Sequence, residues 1–240
     1  MSFFGACMNP IQSLLVALPP ETAHNLAMSA LSSARHLPGK VTPLAGKQST
    51  FLGKSLRNRI GLAAGLDKNA EAVLGLARCG FGFVEVGTVT PLAQPGNPKP
   101  RMFRLPEHGA LINRMGFNNH GMHTMARRLS AVRESGRLNG TLLGVNLGKN
   151  KDTPNGEAVS DYVKGMDCLH THADYFTINL SSPNTPGLRA LQHGDALRTA
   201  VDKDPLARAE VPSAKTTLRI DVERLKAAAL VRGDEARAQR

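Results

Sequence analysis

The chain has 240 residues, of which 41% are hydrophobic and 20% are charged, so it can bury one sizeable core. No apolar run is long enough for a transmembrane helix, and the three cysteines stand far apart with no spacing that suits a metal site. The net charge of +11 suits nucleic acid, an anionic membrane or small anions, but aromatic residues are only 4% and offer few stacking platforms, so no nucleic-acid partner is expected.

Residues 10–37 are predicted to form a small helical unit that is interrupted at Pro19 and Pro20. Its helices are rather apolar, and without a strand they cannot bury both of their faces. We therefore expect the unit to lie on the main domain, on a partner or on a membrane surface. Residues 38–58 are rich in Gly, Pro, Lys and Ser, which indicates a linker and a short hairpin.

Beyond residue 58, short apolar strands alternate with helices. The predicted strands are 59–64, 81–86, 142–147 and 175–180, and the predicted helices are 70–79 and 161–172. A strand, a polar loop, a helix and another strand form the order of parallel βα units. The strands are continuous apolar runs rather than clean alternations, as expected when both faces of the sheet are covered.

Each predicted strand ends in a polar loop that contains Gly or Pro: GLDKN, GTVTPLAQPGNPKP, GKNKDTPN and SSPNTPG. In a parallel barrel the functional groups lie on loops at the carboxyl ends of the strands, so these loops are the predicted active site. An open, doubly wound sheet would give the same local pattern. However, no G-x-G-x-x-G follows any strand, so a dinucleotide fingerprint is not supported.

The second of these loops opens a long insertion, residues 91–121, with little helical period. It supplies arginines that suit carboxylate or phosphate, short amide side chains, and two apolar side chains that could cover a ring. These are Arg101, Arg104 and Arg114, then Asn113, Asn118 and Asn119, and then Met115 and Phe117. The alternative is a solvated surface excursion.

Six stretches carry a family resemblance: LPPETAHNLA at 18–27, GLAAGLDKNAE at 61–71, GFVEVGTVTPLAQPGNPKPRMFRL at 82–105, INRMGFNNHG at 112–121, GVNLGKNKDTP at 144–154 and FTINLSSPNTPGLRALQ at 176–192. Together they resemble dihydroorotate dehydrogenase of the membrane-associated, quinone-reducing type (class 2). The resemblance implies an α/β fold of the (β/α)8 TIM-barrel type with an N-terminal helical extension.

The resemblance also implies the reaction, which is the oxidation of (S)-dihydroorotate to orotate in de novo pyrimidine (UMP) biosynthesis. FMN would accept the hydride, and a quinone would be the final electron acceptor. The helical unit would rest on the cytoplasmic side of the cell membrane as a peripheral contact.

Site residues follow from the resemblance position by position. The flavin would be lined by Ala64, Gly65, Leu66, Asp67, Lys68, Thr88, Asn146 and Asn179. The substrate would be bound by Lys68, Asn113, Arg114, Met115, Gly116, Phe117, Asn179 and Asn184. No metal is expected.

Ser182 matches the family's catalytic base, and His24 and Arg104 match positions along the quinone path. A serine hydroxyl is a poor base in water, so Ser182 must be desolvated, oriented and linked to a proton relay. The soluble class has a cysteine at this position, so Ser182 argues for the quinone-linked class.

After about Arg198 the family pattern departs, and residues 200–240 contain one glycine and no strand of the expected kind. We therefore divide the chain into a helical membrane and quinone-access unit at 1–40, half of an FMN barrel with about four βα units at 41–199, and a divergent tail at 200–240 that is frameshifted or disordered. The alternative function is an inactive truncated remnant, or a partner- or membrane-binding partial domain without the FMN phosphate site.

Overall fold

The structure is a computed structural model, and it describes residues 10–37 and 49–180. The helices are α1 Pro10–Ala17, α2 Pro20–Ala34, α3 Val73–Arg78, α4 Met122–Glu134 and α5 Ala158–Leu169. The strands are β1 Ser49–Phe51, β2 Lys54–Leu56, β3 Gly61–Leu62, β4 Phe83–Val89, β5 Met102–Leu105, β6 Ala110–Asn113, β7 Leu142–Leu147 and β8 Tyr175–Ile178. The boundary at residue 40 and the predicted tail lie outside the described residues.

The central sheet has four parallel strands in the order β3-β4-β7-β8. Parallel βα units are therefore confirmed, and β7 has the predicted bounds. The strands are ordered as they occur in the chain, without the reversal that creates the switch point of a doubly wound sheet. All four carboxyl ends consequently meet at one rim, where a barrel carries its functional loops.

Most element boundaries differ from the sequence prediction, and β4 (predicted 81–86) and β8 (predicted 175–180) are observed at Phe83–Val89 and Tyr175–Ile178. Strand β3 has only two residues, and helix α3 begins at Val73 rather than near residue 70. The reason is Asp67, whose carboxylate accepts the backbone N–H groups of Asn69, Glu71 and Ala72 and thereby holds this segment as a turn. Helix α5 begins at Ala158, directly after a 3-10 turn at Asn155–Glu157.

The long insertion is more ordered than the sequence indicates. Strands β5 and β6 pair antiparallel, with Met102 opposite Asn113 and Leu105 opposite Ala110. A 3-10 turn, Pro106–His108, connects them, and helix α4 follows the insertion. The sequence patterns predicted neither the hairpin nor α4.

The core lies between the sheet and the helices that cover it. Val84 and Val86 of β4, together with Leu143 and Val145 of β7, have no exposed surface. Leu129 of α4 is equally buried. Burial of each such side chain contributes about 1.5–3 kcal/mol, so this layer holds the strands at fixed positions.

The opposite end of the sheet is closed by the β1–β2 hairpin. Phe51 stacks on Phe83 and meets the edge of Tyr175, with ring centroids 6.0 and 5.2 Å apart. Beside them the Asp174 carboxylate accepts from Lys54 Nζ at 2.6 Å, from Arg133 Nη2 at 2.9 Å, and from the Leu143 N–H at 2.8 Å. One carboxylate therefore connects the hairpin, α4 and β7.

The helical structure of the N-terminal unit is confirmed, and the break lies at Leu18 and Pro19, because Pro20 is already the first residue of α2. Helix α2 packs on α3 so closely that a Cβ added at Gly75 would lie 1.8 Å from the Leu31 carbonyl oxygen. The outer faces of α1 and α2 leave apolar side chains exposed, namely Ile11, Leu14, Val16 and Leu26. Within residues 10–37 and 49–180, no helix is both long enough and apolar enough to span a membrane.

Candidate active site

Three polar side chains meet at the carboxyl ends of β4, β7 and β8. Thr88 Oγ1 donates to Asn146 Oδ1 at 2.6 Å, and Asn179 Nδ2 lies 3.0 Å from Thr88 Oγ1 and 3.1 Å from Asn146 Oδ1. Thr88 and Asn146 are buried, whereas Asn179 is half-buried and is the most accessible of the three. Parallel strands with this register are what bring these distant positions together.

A buried carboxylate supports this cluster from inside the sheet. Glu85 Oε1 accepts from Asn146 Nδ2 at 2.8 Å. Glu85 Oε2 accepts from Thr177 Oγ1 at 3.0 Å and from Tyr175 Oη at 3.2 Å. The polar cluster therefore continues inward along β4 to a side chain that is only 2% exposed.

The turn after β3 lies beside the end of β4. The Gly65 N–H donates to the Gly87 carbonyl at 2.9 Å, and the Gly87 N–H donates to the Asp67 carbonyl at 3.0 Å. Gly65 has φ +113°, and a Cβ added there would meet no atom of the described residues within 4 Å. Within the part of the chain that the structure describes, the turn therefore leaves free space beside Gly65.

Lys68 ends the same turn, and its Nζ donates to the Gly65 carbonyl at 2.8 Å. Burial, with a further contribution from the charge of Arg101, lowers the pKa of Lys68 below its ordinary value. Burial also raises the pKa of Asp67, although the three N–H groups that its carboxylate accepts act in the opposite direction. Asp67 thus shapes the turn, and Lys68 is its cationic side chain.

The candidate substrate segment, Asn113 to Phe117, begins at the end of β6. Asn113 and Arg114 are exposed, and Met115, Gly116 and Phe117 are half-buried. Gly116 and Phe117 both have positive φ, of 75° and 53°. A Cβ added at Gly148 would lie 2.6 Å from the Thr88 methyl and 3.3 Å from the Phe117 ring, so the segment reaches the polar cluster.

Side-chain amides hold this segment in place. Gln94 Nε2 donates to the carbonyls of Gly116 and Phe117 at 3.1 and 3.2 Å. Asn119 Nδ2 donates to the Phe117 carbonyl at 2.7 Å. Asn150 Nδ2 in turn donates to Gln94 Oε1 at 3.0 Å, which connects the loop after β7 to the insertion.

Two arginines of the insertion bind the helical unit. The Arg101 guanidinium contacts Glu21 at 2.9 Å and also donates to the carbonyls of Pro95 and Asn97. The Arg104 guanidinium donates to three main-chain carbonyls at the end of α1, those of Leu15, Val16 and Leu18. Both cations thus have partners within the chain, which the sequence did not indicate.

An open cleft of about 980 Å³ separates α2 from the loops of the sheet rim. Its lining includes five predicted site residues, which are His24, Leu66, Asp67, Lys68 and Met115. Burial, and next the charge of Lys68, lowers the pKa of His24. Thr88, Asn146 and Asn179 are not part of this lining.

The structure therefore brings together Thr88, Asn146 and Asn179, with Phe117 beside them. It places five predicted site residues around the cleft, namely His24, Leu66, Asp67, Lys68 and Met115, and it places Arg104 at the end of α1. Ser182 and Asn184 lie outside the described residues. Sequence reasoning missed Glu85, Gln94 and Asn150, although one signal was available: a glutamate within the apolar strand FVEVG.

A family model for dihydroorotate dehydrogenase matches residues 47–219. The chain belongs to the dihydroorotate dehydrogenase family. Dihydroorotate dehydrogenase (quinone) of Marinobacter nauticus is 53% identical over 192 residues, which cover 78% of this chain and 55% of that protein. The enzyme of the same name from Polaromonas naphthalenivorans is 55% identical over 193 residues, which cover 76% of this chain and 54% of that protein.

Solved structures of dihydroorotate dehydrogenase (DHODH) from Eimeria tenella share the fold. The match to the ligand-free structure has a TM-score of 0.71 and 45% identity, and the aligned region covers 81% of this chain and 55% of the Eimeria chain. The complex with ferulenol has a TM-score of 0.70 and 45% identity, with 80% and 52% covered. The resemblance to the class 2 family and the α/β barrel-type fold are thereby confirmed.

The chain spans about half the length of the curated relatives that it matches. The family consists of oxidoreductases, and the relatives from Marinobacter nauticus and Polaromonas naphthalenivorans carry quinone in their names. Among the described residues, no group of three or more His, Cys, Asp or Glu side chains could hold a metal ion.

Proposed function

We propose that this chain oxidises (S)-dihydroorotate to orotate in de novo pyrimidine biosynthesis, with FMN as hydride acceptor and a quinone as final acceptor. Membership of the dihydroorotate dehydrogenase family supports the reaction class. The observation that carries the proposal is the cluster of Thr88, Asn146 and Asn179 at the ends of three adjacent parallel strands. That rim is where barrel enzymes carry their chemistry.

The described residues fit a flavin in kind. Hydroxyl and amide groups offer neutral donors and acceptors, as the polar edge of an uncharged ring requires, and the described residues leave free space beside the Gly65 backbone. Asn179 and Thr88 would meet the ring. Asn146 has no exposed surface, so its direct contact with flavin stays a prediction, and it acts here on Thr88 and Asn179. Bound FMN would supply the hydride acceptor.

The substrate loses a hydride and a proton from adjacent carbons, and the chain must take the proton. We assign that role to Ser182, by resemblance. Lys68 is the proposed partner of the substrate carboxylate, and the segment from Asn113 to Phe117 is its proposed amide-binding edge. The Phe117 ring next to Thr88 would exclude water from this face of the site.

The helical unit is the proposed contact with membrane and quinone, on the cytoplasmic side of the cell membrane. The exposed Ile11, Leu14 and Val16 of α1 and Leu26 of α2 support this role, since apolar side chains on one short helical unit favour an interfacial position. His24 on α2, which lines the cleft together with Lys68, is the proposed quinone-path residue. Arg104 would act on that path by holding α1.

Flavin titration tests the central proposal. The purified full chain is mixed with FMN, and the visible spectrum is recorded before and after anaerobic addition of dihydroorotate. Near-equimolar bound flavin that is bleached by dihydroorotate supports the activity. A chain that stays colourless with excess FMN would reject it and favour the alternative, a remnant or partial domain without the FMN phosphate site.

The membrane proposal is tested separately by flotation with liposomes of a bacterial lipid composition. We expect the full chain to float with the vesicles and a variant with Ile11, Leu14 and Val16 changed to Ser to remain behind. Equal flotation of both proteins would reject the assigned surface. This result does not depend on whether flavin binds.

A further inference from the structure

Glu85 is a carboxylate inside a strand whose neighbours are apolar and fully buried. It accepts hydrogen bonds from Asn146 Nδ2 at 2.8 Å, Thr177 Oγ1 at 3.0 Å and Tyr175 Oη at 3.2 Å. A buried carboxylate costs free energy unless donors such as these surround it. The chain therefore devotes three side chains from β7 and β8 to keeping one acid in this place.

The hydrogen bonds of Glu85 determine how the side-chain amide of Asn146 is oriented. A carboxylate oxygen only accepts, so Asn146 must turn its NH2 group toward Glu85. Its Oδ1 then faces the rim, where it accepts from Thr88 Oγ1 at 2.6 Å and from Asn179 Nδ2 at 3.1 Å. A flipped Asn146 would direct its NH2 at the NH2 of Asn179, donor against donor.

The orientation of Asn146 in turn determines the direction of the Thr88 hydroxyl. Because its hydroxyl proton is directed at Asn146, its oxygen is available as the acceptor of Asn179 Nδ2 at 3.0 Å. The Asn179 nitrogen thus faces inward, and the side-chain oxygen of Asn179 is turned away from the pair. The orientation of each polar group in the cluster follows from the acceptor at Glu85.

We propose that Glu85 is a positioning residue, which fixes the amide orientation of Asn146 and through it the donor and acceptor pattern of Thr88 and Asn179. The effect on flavin rests on the proposed function. The link between Glu85 and Asn146 belongs to the chain itself and is measurable without any ligand.

The test uses the full ¹⁵N-labelled chain and the side-chain NH2 resonances of Asn146, assigned by their loss in Asn146→Ser. Hydrogen exchange of this NH2 group and the affinity for FMN, measured by fluorescence titration, are compared in three variants. Glu85→Leu removes the acceptor. Glu85→Gln conserves an acceptor oxygen for Asn146, with its own NH2 directed at the hydroxyls of Tyr175 and Thr177. Thr177→Val is the matched control, which removes another contact of Glu85.

We expect Glu85→Leu to exchange the Asn146 NH2 protons roughly tenfold faster and to weaken FMN binding roughly tenfold, the effect of one lost hydrogen bond of about 1.4 kcal/mol. Glu85→Gln should restore most of both values. Thr177→Val should leave the Asn146 resonances in place.

Unchanged Asn146 exchange in Glu85→Leu would overturn the proposal, as would an equal effect of Thr177→Val, which would indicate general loosening. If Glu85→Leu does not fold, Glu85→Asp replaces it, because it withdraws the carboxylate by one carbon–carbon bond and should give the same faster exchange. If the unaltered chain binds no FMN, the proposed function fails, while the exchange data still decide the link between Glu85 and Asn146.

Discussion

The Arg101 guanidinium holds the Glu21 carboxylate at 2.9 Å through two of its nitrogens, and this ion pair joins the long insertion to the first turn of α2. The Arg101 side chain is 8% exposed, so the pair is largely shielded from water. Lys99 contacts the same carboxylate at 3.7 Å, but its side chain is 67% exposed. Arg101 and Lys99 therefore contact the same carboxylate, but only the Arg101 contact is shielded from water.

Glu21→Gln should destabilise the protein by about 2 kcal/mol, because the buried Arg101 would lose its counter-ion. Urea unfolding, together with hydrogen exchange of α2, measures the effect. Lys99→Met is the control, and an exposed pair of this kind contributes about 0–1 kcal/mol. Equal losses in the two variants would contradict the importance of the buried pair.

Gln94→Leu should raise the KM for dihydroorotate roughly tenfold, or about 1.4 kcal/mol, because the carbonyls of Gly116 and Phe117 lose their shared donor. The affinity for FMN should stay within about twofold, since the polar cluster of Thr88, Asn146 and Asn179 does not include Gln94. Steady-state kinetics and flavin titration separate the two effects. Lys151→Ala is the control: it removes an exposed side chain and keeps the backbone N–H that also donates to Gln94. A larger loss of FMN affinity than of substrate affinity would contradict the prediction that Gln94 supports the substrate segment.

Asp174 predicts an acid-dependent part of the stability. Burial alone would raise its pKa, but hydrogen bonds from Lys54 and the Leu143 N–H and the charge of Arg133 outweigh it, so its pKa lies below the ordinary value. A carboxyl group with a lowered folded-state pKa stabilises the fold above its unfolded pKa of about 3.9, and this contribution disappears as the pH falls through the folded-state pKa.

Asp174→Asn should therefore cost about 2 kcal/mol at pH 7, and the difference from the unaltered chain should shrink as the pH falls below about 4. Urea unfolding at a series of pH values measures it. Asp167→Asn, an exposed position on α5, is the control and should give a small difference throughout. A difference that is constant from pH 7 to about pH 3 would contradict the ionic origin of the effect.

Ser182→Ala should slow flavin reduction by dihydroorotate about 10²- to 10⁴-fold without changing FMN affinity, because only proton removal is lost. Stopped-flow absorbance follows the bleaching of bound flavin. Ser181→Ala, the neighbouring hydroxyl, is the control and should retain most of the rate. Full reduction rates in Ser182→Ala would reject Ser182 as the base.

The sequence predicts the parallel βα order well because buried parallel strands leave continuous apolar runs. Leu142–Leu147 is predicted at both ends for this reason. The β5–β6 hairpin escaped prediction, since Pro106 and Gly109 at its turn suggest a loop and its pairing is visible only across the turn. Local patterns report burial more reliably than they report partners.

In the candidate site, too, the sequence reveals some residues but not their hydrogen-bond partners. Thr88, Asn146 and Asn179 could be assigned because motifs mark the ends of the strands. Glu85 could be noticed in the sequence as a charge within an apolar run, but its partners Asn146 and Tyr175 lie 61 and 90 positions away along the chain. Such a pairing follows from strand register, which a single sequence does not reveal.

Arg104 attaches the insertion to α1 through the main-chain oxygens of Leu15, Val16 and Leu18. Because every residue type has a main-chain oxygen, these three hydrogen bonds do not depend on which side chains α1 exposes. The exposed apolar side chains of α1 can therefore be replaced by polar ones without loss of the hydrogen bonds that hold the helix on the domain. The chain thus separates how this helix is anchored from what it touches.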